Sequence, residues 1–174
     1  MGKALTGKKA CAAFMVLLLP GIGLAASVSG RVELAFSKDP NVRKHMDYSG
    51  VVVWLEPVAG PVSLPAKSQA EMIQKGKAFS PHVLAITLGT TVNFPNYDPI
   101  FHNAFSNYDG QVFDIGLYPP GSTRSIGFRR EGVVRVFCNI HPSMSAVILV
   151  LKSPYFSVSD TSRHSREPRR SWQA

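Results

Sequence analysis

From Ser27 to Lys152 the apolar positions come in short runs cut by turn residues, with no sustained helical stripe. "VSGRVELAF" (28–36) and "GVVVWLEPV" (50–58) read as strands joined by a polar connection over 37–50. After a Pro/Gly/Ser-rich crossing at 60–68, "HVLAITL" alternates from His82, and Gly89 turns the chain into "TTVNF". "FHNAFSN", "QVFDIGLY", "STRSIGFR", "GVVRVFC" and "SAVILVLK" follow, separated by "YDG", "YPPG" and "REG". Gly or Pro at each break is turn chemistry, and many short strands at close spacing predict an antiparallel sandwich or barrel. "QAEMIQKGKAF" (69–79) fits a short helix or a further strand equally well. There is no internal repeat.

The first segment changes what counts as the body. Lys3, Lys8 and Lys9 precede an apolar run from Ala10 to Leu19, Pro20 and Gly21 break it, and Gly23-Leu24-Ala25 offers a small-x-small cleavage site. Residues 1–25 therefore read as an export signal, the apolar run being shorter than the ~20 residues that span a bilayer. The mature chain then has no membrane span and works in the periplasm. Mass spectrometry of protein from the exported fraction should find a chain beginning at Ala26, or within one or two residues of it. Recovery of an intact chain from Met1 in the membrane would contradict this.

Export removes Cys11 and leaves Cys138 without an intramolecular disulfide partner. A lone thiol in an oxidising space is buried, bonded to metal, or used. Export also prunes the charge: the formal +8 falls to +5 with the three signal lysines gone. The end segment 161–174 carries +3 of this, from four arginines and one glutamate, which leaves the body near +2. Nucleic-acid binding would need basic residues and exposed aromatics interleaved on one folded face, whereas this surplus lies in a polar tail (153–174) that reads as disordered. No nucleic-acid partner is expected.

The chemistry concentrates in "VFCNIHPSM", where Cys138, His141 and Met144 stand at three-residue intervals between two strand-like runs. A thiolate, an imidazole and a weak thioether suit copper cycling between two oxidation states, given a second imidazole. "FPNYDPIFHNAFS" supplies it as His102. Zinc would accept cysteine and histidine, but methionine serves it poorly and a structural zinc site usually has more cysteines. Haem attachment requires a C-x-x-C-H that is absent, and nothing marks a nucleophile with a base and a substrate cleft.

With these motifs, the stretch from about Phe79 to Leu151 resembles the cupredoxin, or type 1 blue copper, family. Its ligand loop, Cys138-Asn139-Ile140-His141-Pro142-Ser143-Met144, is similar to that of amicyanin and of plastocyanin-like and methylamine-utilisation periplasmic proteins. The resemblance implies an all-β Greek-key β-sandwich, placed here over 26–152; residues 27–77 carry no such motif and are read as additional N-terminal strands on the same sandwich. It implies one type 1 copper ion with His102, Cys138 and His141 as equatorial ligands and Met144 as the axial one.

Around that set, the Asn103 side chain is expected to tie the His102 strand to the Cys138 loop. The N–H of Ile140, where similar loops often carry proline, is expected to donate to the sulfur together with the N–H of Asn103. Pro99, Ile100, Pro119, Pro120, Pro142 and Met144 are expected to ring the site as an apolar face around His141 for redox partners such as a cytochrome or a periplasmic dehydrogenase. His45, Met46, His82 and His164 read as surface residues, and Trp54 as core. The expected role is one-electron transport without bond-making on a substrate. Copper delivery, or a metal-free module accessory to an amine-oxidising system, are the competing readings.

Overall fold

The computed structural model describes residues 28–160 except 61, 108 and 109. Residues 1–25, read above as an export signal, and the end segment 161–174 lie outside the described residues. In chain order the elements are helix α1 (Pro40–His45) and strands β1 (Val52–Trp54), β2 (Gln69–Glu71), β3 (Ile73–Gln74), β4 (Phe79–Ser80), β5 (Val83–Thr87) and β6 (Thr91–Pro95). Then come β7 (Phe105–Ser106), β8 (Phe113–Asp114), β9 (Thr123–Gly127), β10 (Gly132–Phe137), β11 (Ser145–Leu151) and β12 (Phe156–Val158).

The strand pattern follows the period-two rule. In β10, Val134 and Val136 are buried while Val133 and Arg135 face out; in β11, Ala146, Ile148 and Val150 are buried. The two strands pair antiparallel from Gly132↔Val150 to Phe137↔Ser145, and β5 joins β11 in parallel. The larger sheet runs β5-β11-β10-β7-β8 and the smaller one β2-β6-β9. The chain thus crosses repeatedly from one sheet to the other, as a Greek-key β-sandwich does. Val92 and Phe94 from β6 share one core with Val134, Val136, Ile148 and Val150 of the larger sheet. Phe113 bridges the aromatic centre, its ring 6.1 Å from that of Phe94 and 5.8 Å from that of Phe128.

The N-terminal part departs most from the pattern reading. "VSGRVELAF" forms no strand, although it alternates; Val28, Leu34 and Phe36 are exposed. Alternation alone makes no strand without an edge to take the backbone hydrogen bonds. The expected strand at 50–58 contracts to β1, and the polar connection contains α1. Trp54, expected in the core, is 42% exposed and donates its indole N–H to Glu56 at 2.9 Å.

"QAEMIQKGKAF" resolves into β2 and β3, with the 75–78 turn leading into β4. Of the additional strands, β2 joins the smaller sheet, while β1 pairs with β12 in a separate ribbon. Residues 156–158, expected at the start of a disordered tail, are therefore ordered as a strand. His45, Met46 and His82 are exposed, as expected; His164 lies outside the described residues.

Candidate metal centre

The β10–β11 hairpin fixes the loop that holds Cys138, His141 and Met144. Its last register pair is Phe137↔Ser145, so residues 138–144 form the closing loop. Cys138 N–H donates to the Met144 carbonyl at 3.3 Å, and Met144 N–H to the His141 carbonyl at 2.9 Å. The first bond closes the base of the loop and the second forms a turn over His141–Met144, so the loop is folded back on itself.

His102 comes from the other direction. It lies between β6 and β7 and forms an isolated antiparallel bridge with Tyr118, backbone N–H donating both ways at 3.3 and 2.9 Å. Its imidazole is fully buried. Nδ1 lies 3.8 Å from Cys138 Sγ, and the rings of His102 and His141 are 4.9 Å apart between centroids. One ligand atom from each of His102, Cys138 and His141 lies within 4.8 Å of the others. Met144, 1% exposed, closes the same loop.

The donor set fits a soft or borderline metal ion. Two imidazole nitrogens and one sulfur converge, and His141 Nδ1 is buried without a hydrogen-bond partner. A buried polar atom left unpaired is costly and calls for an explanation. A metal ion there would remove that cost. Cys138 is a free, buried cysteine.

The Asn103 tie is present: Asn139 N–H donates to Asn103 Oδ1 at 2.8 Å, joining the His102 segment to the cysteine loop. The apolar surroundings differ in detail from expectation. Pro99, Pro119, Pro120 and Pro142 are exposed and Ile100 is half-buried, but Met144 is core and contributes no surface. A methionine flanked by β11's buried face packs inward. The large exposed apolar side chains near these segments are instead Tyr97, Phe101, Leu117 and Ile140.

One buried group went unseen in the sequence. Asp98 Oδ2 lies 2.8 Å from His102 Nε2, on the side of the ring away from the sulfur. Asp98 is 7% exposed, and its carboxylate also accepts the N–H groups of Gly76 at 2.6 Å and Lys77 at 2.8 Å. Burial alone would raise its pKa; hydrogen bonds from Lys77, His102 and Gly76 outweigh this and hold it below the ordinary carboxylate range.

Behind the bridge, Tyr118 donates its hydroxyl to the Phe94 carbonyl at 2.8 Å and accepts from the Gln74 amide. Burial above all pushes the Tyr118 hydroxyl upward in pKa, against the Gln74 hydrogen bond, so it stays protonated.

A β-sandwich with a histidine-cysteine-histidine cluster at one end makes the chain cupredoxin-like. No family model matches it. In sequence it is similar to the methylamine utilization protein MauL of Methylorubrum extorquens, 38% identical over 60 residues, 34% of this chain and 53% of that one. The chain thus matches about half the length of this curated relative.

Among solved structures it is similar to a purple cupredoxin from Nitrosopumilus maritimus, with 29% identity, 47% of this chain and 99% of that one covered, and a TM-score of 0.43. It is also similar to a reduced amicyanin variant, with 18% identity, coverage of 47% and 80%, and a TM-score of 0.44.

Proposed function

We propose that the mature chain is an exported mononuclear copper protein that carries single electrons between redox partners in the periplasm. The observation that carries this reading is the convergence, within 4.8 Å of one another, of the His102 imidazole with the thiol and imidazole of Cys138 and His141, the latter two from a loop closed by a buried methionine. In this reading His102, Cys138 and His141 hold the metal, with Met144 as the weak fourth ligand. Copper, when bound, supplies a reversible one-electron couple.

The protein's own part is to keep the ligands still. His102 is pinned through its backbone to Tyr118, the cysteine loop is tied by Asn103, and the sandwich core backs both. Ligands that do not move between oxidation states keep the reorganisation cost of electron transfer low. The exposed apolar residues Tyr97, Phe101, Leu117, Ile140 and Pro142 supply the docking face for a partner such as a cytochrome or a periplasmic dehydrogenase. Likeness to a methylamine utilization protein supports an amine-oxidising setting. Among the described residues no helix is long and apolar enough to cross a membrane.

Voltammetry of the copper-loaded protein tests the role. A carrier gives a reversible one-electron wave and retains its copper through repeated cycles; loss of copper on reduction would favour delivery and overturn the carrier reading.

The same cell tests the loop. If the N–H of Ile140 donates to the sulfur, Ile140→Pro removes a donor that weakens sulfur donation to the oxidised ion more than to the reduced one. A hydrogen bond to a charged group is worth ~1.5–3 kcal/mol, and a third to a half of that differs between oxidation states. At about 59 mV per tenfold change for one electron, the potential should fall by some tens of millivolts with the colour retained. An unchanged or raised potential would show that Ile140 makes no such bond.

A further inference from the structure

We propose that Asp98 is a positioning residue for the metal centre, and that the turn between β3 and β4 exists in part to hold it there. The carboxylate fixes His102 in the tautomer with hydrogen on Nε2 and so keeps the Nδ1 lone pair towards Cys138.

An ionised carboxylate only accepts, and a neutral imidazole carries one N–H and one lone pair. With Asp98 Oδ2 at 2.8 Å, Nε2 must be the donor, and Nδ1, 3.8 Å from Sγ, is left as the free acceptor. Asp98 is in turn placed from two sides.

On its own loop, Asn96 accepts the Asp98 N–H at 3.0 Å and donates its amide to the Ile100 carbonyl at 2.8 Å, which shapes the 96–100 turn. From the other side, Gly76 and Lys77 both take positive φ, 64° and 56°, in a hairpin turn closed by Lys75 N–H donating to Ala78. That geometry aims two successive N–H groups at one carboxylate: Gly76 to Oδ1 and Lys77 to Oδ2.

His102 is fully buried and Asp98 nearly so, which strengthens each of these bonds and the field of the charge itself. The N-terminal segment, without a motif of its own, thereby gains a role: it completes an outer shell around the first histidine. Outer-shell partners of this kind orient the ring, raise its basicity, and typically matter ~10–100-fold in metal affinity. A fixed negative charge also favours the more positive oxidised ion over the reduced one.

The tautomer part stands independently of copper; the affinity part rests on the copper reading. Long-range proton–nitrogen NMR of the metal-free mature protein at neutral pH should find His102 with hydrogen on Nε2. Asp98→Leu, similar in size and without an acceptor, should leave a mixture of tautomers, while Asp98→Asn, which keeps one oxygen acceptor, should retain the tautomer. In the copper-loaded proteins, Asp98→Asn should lower the Cu(II)/Cu(I) affinity ratio about tenfold, a potential about 59 mV more positive.

Hydrogen on Nδ1 in the wild type, or an unchanged tautomer in a folded Asp98→Leu protein, overturns the proposal. If Asp98→Leu does not fold, the wild-type spectrum still decides it. An unmoved potential in Asp98→Asn overturns the charge effect. Failure of the wild type to take up copper would instead overturn the functional reading and leave the NMR result to judge Asp98.

Discussion

A Cys138→Ser protein should lose essentially all of the intense visible absorption expected of the copper-loaded wild type. That absorption would come from charge moving from a thiolate sulfur to Cu(II), and no other cysteine follows residue 25 to replace it. Serine is nearly the same size, but its hydroxyl stays protonated at neutral pH and donates weakly to copper. His102 and His141 would still hold some metal, since their nitrogens remain close together.

Affinity should nonetheless fall by more than the ~10–100-fold that loss of a single outer-shell partner costs. The fold should survive: Cys138 is 4% exposed, and a buried hydroxyl without a partner costs about 1–3 kcal/mol. Spectra at equal copper occupancy, with circular dichroism as the fold control, make the comparison. Retained intensity in the serine protein would remove Cys138 from the metal centre.

The largest loss of stability is expected from Phe94→Ala. Phe94 is fully buried at the centre of the core and packs against Phe113, which in turn meets Phe128 edge-on. Phe→Ala in a core typically costs ~3–5 kcal/mol, the transfer term plus the cavity. In a domain of this size each kcal/mol moves Tm by about 4 °C, so a fall of roughly 10–20 °C is expected.

The effect should reach the metal centre too. The Phe94 carbonyl receives the Tyr118 hydroxyl, and Tyr118 carries the backbone bridge to His102. Thermal unfolding of the metal-free protein measures the first part. A cost below about 1 kcal/mol would mean that the core closes around the gap without Phe94.

The sandwich was legible where strands are long and half-buried. Alternation in "GVVRVF" and the nearly continuous apolar run of "SAVILVL" encode burial directly, and β10 and β11 appear where the pattern puts them. It was illegible where a strand depends on its partner. "VSGRVELAF" alternates as well as any segment yet finds no sheet edge, and "QAEMIQKGKAF" needed the backbone of β6 and β4 to become strand. In that stretch the "KGK" turn between two short runs was the overlooked signal.

At the candidate site, Cys138, His141 and His102 could be picked out because their residue types are informative at close spacing. Asp98 could not, because "NYDP" looks like ordinary turn chemistry. Only the fold reveals that this carboxylate, four residues before His102, is buried against the ring. Met144 shows the converse error: its type suggested exposed apolar surface as well as a ligand, and its place beside β11 made it core.

Titration of Cu(II) into the purified wild-type protein, followed by visible absorption, decides whether His102, Cys138 and His141 form a thiolate–copper centre. Intense colour should grow to one equivalent of copper and stop, with the Cys138 thiol becoming inaccessible to titration and the colour bleaching reversibly on one-electron reduction. A protein that takes up one equivalent of Cu(II) and stays colourless, with its thiol still free, would contradict the account.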